Sequence, residues 1–123
     1  MIVKKPILNK RVRKVPQSFS WIDHRLVRDR HIELCSHAQA ALYLFLACVS
    51  DDKGLSFYGD QSIMVRLSMD QHVLNKARSG LIKNSLIAWQ KPVYQVLSLE
   101  PQAPDRTGSF MSLGDILAMG GEK

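Results

Sequence analysis

The 123 residues contain two cysteines, Cys35 and Cys48, which make no Cys-x-x-Cys pair of the kind that metal and redox sites use. In a reducing compartment two lone thiols are packing residues, so no disulfide is expected. No charged leader with a short apolar block and a small-residue cleavage site opens the sequence, and the expected location is therefore cytoplasmic. Long apolar runs are missing as well. The longest, Ala38 to Val49, is broken by Gln39 and falls short of the ~20 residues that a membrane span requires, so no membrane partner is expected. The patterns G-x-x-x-x-G-K-[ST], G-x-G-x-x-G and G-x-S-x-G are absent, which removes the phosphate cradles of nucleotide chemistry and the nucleophile turn of hydrolases. His31, Cys35, His37 and Cys48 carry metal-ligand atoms, but their spacing matches no structural zinc pattern. The scattered acidic residues fall at cap and turn positions, where helix N-termini attract them without any catalysis. No metal, cofactor or enzymatic reaction is expected.

What is present is an ordinary globular composition, 46% hydrophobic and 23% charged, in a chain long enough for one core and a tail. The net charge of +6 is unevenly placed. Residues 1–30 hold nine Lys or Arg against Asp23 and Asp29, residues 31–99 are almost balanced, and residues 100–123 are slightly acidic. A basic leader on a neutral body is the distribution expected of an arm that follows a phosphate backbone, and equally of a solvated tail.

Residues 1–17, with Lys4, Lys5, Lys10, Arg11, Arg13 and Lys14 around Pro6 and Pro16, hold no apolar period and read as a flexible arm. From Ser18 to Leu34 a short helix or strand-helix is expected to pack Trp21, Ile22, Leu26 and Val27 on the body. Ser36 followed by Gln39 forms a capping box that starts a helix through Val49, apolar all round and so expected to be enclosed by other elements. Ser50 to Gly54 ends it. Leu55, Phe57 and Tyr58 give a short β-type run, and Gly59-Asp60 opens a helix carrying Ile63, Met64 and Leu67. Ser68 or Asp70 caps a third helix with Val73, Leu74, Ala77 and Leu81 on one face. Asn84, which tolerates the left-handed conformation, and Ser85 stop it. Leu86–Gln90 and Val93–Leu97 flank Lys91-Pro92 as a hairpin. Residues 100–109 read as a linker and 110–123 as a short amphipathic tail in which Leu113, Ile116 and Leu117 share a side. The fold class is α+β, mainly α, with a three-helix core and a small β-hairpin wing over residues 18–99.

Two short helices, a tight turn and a hairpin build a winged helix-turn-helix. The runs Gly54-Leu55-Ser56-Phe57-Tyr58, Ile63-Met64-Val65-Arg66-Leu67 and Val73-Leu74-Asn75-Lys76-Ala77, with Leu81 and Leu86-Ile87, resemble the winged-helix domains of plasmid and phage replication initiators and mobile-element accessory proteins over residues 36–99. Ser68 and Ser85 stand where such domains commonly carry glycines. A serine fits there readily only where φ stays negative; otherwise the interhelical angle is expected to differ.

The resemblance implies that Asp70 caps a recognition helix whose Gln71, His72, Asn75 and Ser79 read bases in double-stranded DNA, with Asn and Gln able to bond adenine bidentately. Lys76, Arg78, Lys83 and Lys91 are the implied phosphate contacts, joined by the six basic residues of the arm. The implied role is accessory or regulatory, in replication, transposition or transcription, with a homodimer as one arrangement. Two alternatives stay open: an assembly module whose polar helix face meets protein while the tail docks a partner through Leu113, Ile116 and Leu117, and RNA or nonspecific binding by the arm alone.

Overall fold

A computed structural model describes residues 2–99. Four α-helices and a small antiparallel sheet make the chain α+β and mainly helical, in the expected element order: α1 (Arg25–Arg28), α2 (His37–Val49), β1 (Leu55–Phe57), α3 (Asp60–Leu67), α4 (Gln71–Lys83), β2 (Ile87–Gln90) and β3 (Val93–Val96). Short 3-10 turns occupy Asn9–Arg11 and His31–Leu34. No helix among these residues is long and apolar enough to cross a membrane. The linker and tail read at 100–123 lie outside the described residues.

The helix starts follow from side-chain oxygens that satisfy first-turn N–H groups. Ser36 Oγ accepts from the Gln39 N–H at 3.2 Å, and Asp70 Oδ1 accepts from the Val73 N–H at 2.8 Å. The reciprocal half of the Ser36 box is not formed. Gln39 lies instead across α4, where any Cβ on Gly80 would run into its amide. That glycine lets α2 and α4 approach closely.

Both α3 and α4 end in a left-handed residue, and in both it is a serine: Ser68 at φ 54° and Ser85 at φ 60°. The Met69 N–H reaches back to Met64 O, and the Leu86 N–H to Leu81 O, each at 3.0 Å. These six-to-one bonds satisfy carbonyls that a helix end leaves open. Each serine thus takes the backbone that a glycine would take, at a cost of roughly 1 kcal/mol, and the sharp exits are kept. Asn84, expected as the left-handed stop, has φ −86° and the role passes to its neighbour.

The three strands lie in the order β1-β3-β2. Phe57 pairs with Val93, Leu55 with Gln95, and Trp89 with Tyr94. Because side chains alternate across a strand, Ile87, Trp89, Tyr94 and Val96 face the helices, while Phe57, Ala88, Gln90, Val93 and Gln95 face outward. The β1–β3 pairing was not read from the sequence. It depends on Gly54 at φ 83°, whose Cβ would stand 2.6 Å from Val96 O. Asp51 Oδ1 shapes the approach by accepting from the Leu55 and Lys53 N–H groups, both at 2.9 Å, and those bonds lower its pKa.

Leu42, Leu46, Ile63, Leu74, Leu81, Leu86, Ile87 and Tyr94 form the fully buried centre, with Leu26 and Leu99 closing over it. Two expectations fail at α2. Leu44 and Cys48 are exposed, because α4 and β3 cover one side of the helix and leave the other to solvent. Cys48 is therefore no packing residue, while Cys35 is half-buried. Trp21, Ile22 and Val27 are likewise exposed, and α1 contributes Leu26 alone to the core.

Candidate nucleic-acid interface

Leu74, Ala77, Arg78 and Leu81 stand at i, i+3, i+4 and i+7 of α4 and are buried, which is the stripe that a core-facing helix presents. Val73 and Gly80 are half-buried, Gly80 against α2, and the opposite side of the helix faces out. Gln71, His72, Asn75, Lys76, Ser79 and Lys83 are all exposed, as is Lys91 at the hairpin tip. The arm residues Lys4, Lys5, Lys10, Arg11, Arg13 and Lys14 are exposed too, and among the described residues none of them is paired with a carboxylate.

Arg78 corrects the sequence reading, which set it among the phosphate contacts. It is 5% exposed. Nη1 donates to Asp60 Oδ1 and to the Tyr94 hydroxyl, each at 2.8 Å, and Nη2 donates to Asn75 Oδ1 at 3.0 Å. The guanidinium lies 3.8 Å from the centre of the Trp89 ring, which in turn stacks on Tyr94. One buried cation thereby joins the start of α3, the middle of α4 and both hairpin strands. Its position in the 74-77-78-81 stripe was a signal that the sequence did contain.

The same network reaches the outer face of α4. Gln71 Nε2 donates to Asp60 Oδ2 at 2.9 Å and to Asn75 Oδ1 at 3.0 Å. Hydrogen bonding from Arg78, with Gln71 adding to it, holds the Asp60 carboxyl below its usual range against the opposing effect of burial. Burial pushes the Tyr94 hydroxyl up, and Arg78 only partly offsets it. A carboxyl depressed in the folded state stabilises the fold above the unfolded carboxylate pKa of about 3.9, and that contribution is lost as pH falls through the folded value. Thermal unfolding followed from about pH 6 down to about pH 2 should therefore show a drop in Tm below about pH 4 that is smaller in Asp60→Asn than in the native chain. An identical acid limb in both would remove Asp60 from this role.

No protein-family model, curated protein or solved structure matches this chain. An open groove of about 600 Å³ beside the end of β3 is lined by Trp21, Asp23, Arg25, Asp51, Asp52 and Lys53 among others. Its Asp23 is held at about 2 by hydrogen bonds from Arg25, so the groove carries a permanent anion and lacks the uniformly positive field that collects phosphates. His31 is buried, and among the described residues no three His, Cys, Asp or Glu side chains gather as a metal would need. The outer face of α4 and the hairpin tip expose polar and basic side chains, and the arm exposes six more basic ones, the polarity and charge that suit a polyanion.

Proposed function

We propose that this chain is a winged helix-turn-helix module that binds double-stranded DNA, as an accessory or regulatory protein of replication, transposition or transcription. In this reading α3 and α4 are the helix-turn-helix, α4 enters the major groove, and the β2–β3 hairpin is the wing. One observation carries it. The sharp exit at Ser68 leads at once into a capped 13-residue helix whose outer face, apart from Ile82 in its last turn, is amide, imidazole, hydroxyl and ammonium with no carboxylate, beside an exposed hairpin lysine. Amides and hydroxyls read base edges, and lysines hold phosphates.

A second reading, assembly through protein contact, draws on the sheet's outer face, where the cross-strand partners Phe57 and Val93 are both exposed. Fluorescence anisotropy of a labelled duplex separates the two. Replacing His72, Lys76 and Ser79 together by alanine removes three side chains that support no part of the core, and should weaken duplex binding by about tenfold or more with the Tm unchanged. Equal binding by the native and triple-alanine chains would take α4 out of the interface.

A further inference from the structure

Gln71 and Asn75 stand one turn apart on the exposed side of α4, and their amides are oriented by groups that allow no alternative. A carboxylate only accepts, so the Gln71 atom facing Asp60 must be nitrogen. A guanidinium only donates, so the Asn75 atom facing Arg78 must be oxygen. Gln71 Nε2 spends one hydrogen on Asp60 Oδ2 and the other on Asn75 Oδ1; Asn75 Oδ1 receives that bond and the one from Arg78 Nη2. Reversing either amide would set carbonyl against carboxylate or NH2 against guanidinium.

What remains for a ligand is one acceptor, Gln71 Oε1, and one donor, Asn75 Nδ2. Neither residue retains the acceptor and donor together, so neither is set to bond adenine bidentately as the sequence suggested. Resting on the duplex-DNA reading above, we infer that Gln71 and Asn75 act as one split reader: Gln71 Oε1 selects a base with a major-groove amino group, adenine or cytosine, and Asn75 Nδ2 selects a nearby base with an acceptor there, excluding cytosine. Guanine or thymine opposite Gln71 sets acceptor against acceptor, and cytosine opposite Asn75 sets donor against donor. Each wrong base costs about tenfold in affinity. Arg78 is the positioning residue, since it fixes Asn75 from beneath without touching the ligand.

Selection from a randomised duplex pool by the full chain, followed by sequencing, tests this with one conservative variant. In Asn75→Asp one carboxylate oxygen keeps the bond from Arg78, and the atom left for the ligand changes from donor to acceptor. The native chain should enrich a site with one position limited to A or C and a nearby position from which C is excluded. Asn75→Asp should keep the first preference and change the second, losing G and T and gaining C by about tenfold. The preference is read as a ratio of bases, so the added negative charge does not move it, and thermal unfolding verifies that the variant is folded. An unchanged base preference in Asn75→Asp, or a native site that accepts G or T opposite Gln71, overturns the split reader while DNA binding stands. Failure of the native chain to enrich any duplex overturns both.

Discussion

Replacing Arg78 by methionine, which fills similar volume without the charge, should lower unfolding stability by about 3 kcal/mol. Three losses add in the same direction. The Tyr94 hydroxyl, fully buried, is left without its donor, the half-buried Asp60 carboxylate loses its cation, and the Trp89 ring loses the guanidinium above it. Against these stands the desolvation of the guanidinium itself, which the methionine avoids. The hydrogen bonds win because the Tyr94 hydroxyl, sealed in the core, cannot find water in place of Arg78. In a fold of this size the Tm should fall by roughly 10 to 20 °C. Urea unfolding followed by tryptophan fluorescence measures it, and a loss under about 1 kcal/mol would reduce the network to an ordinary surface pair. Arg78→Lys should fail to rescue, since an ammonium cannot reach Asp60, Asn75 and Tyr94 in one plane.

The arm carries the second large effect, on binding and not on stability. Its six basic side chains are exposed, and the first side-chain hydrogen bond from this end of the chain to the helical body is that of Ser20 Oγ to Cys48 O. Deleting residues 2–17 should therefore leave Tm within about 2 °C. Duplex affinity should fall about 100-fold at about 0.1 M salt, and the slope of log K against log salt should lose up to about five units, close to one for each phosphate released. An unchanged slope would make the arm a solvated tail.

The helices and hairpin were legible because local chemistry specifies them: Ser36 and Asp70 as caps, the apolar stripe of α4, the β-prone runs around Lys91-Pro92. What escaped was set by contacts distant in sequence. The outward turn of Leu44 and Cys48 reflects how few elements cover α2, which its uniformly apolar sequence does not encode. The pairing of β1 with β3 depends on a single glycine at residue 54 accepting a backbone that a Cβ would block. Ser68 and Ser85 adopt the left-handed conformation despite their side chains, because the six-to-one helix-end bonds outweigh the strain. At the candidate interface, Lys76, Lys83, Lys91, His72 and Ser79 lie exposed as read, whereas Arg78 was misplaced by its charge. Its partners Asp60 and Tyr94 are 18 and 16 residues away, and only its place in the buried stripe pointed inward.

In the proposed function α4, the hairpin tip and the arm all contact duplex DNA. Amide NMR of the full chain, titrated with a short duplex at low salt, tests it most directly. Shifts are expected at Gln71, His72, Asn75, Lys76 and Ser79, at Lys91, and along residues 4–14, with the outer sheet face at Phe57 and Gln95 unmoved. Shifts confined to the arm, shifts centred on the sheet, or none at all would contradict it.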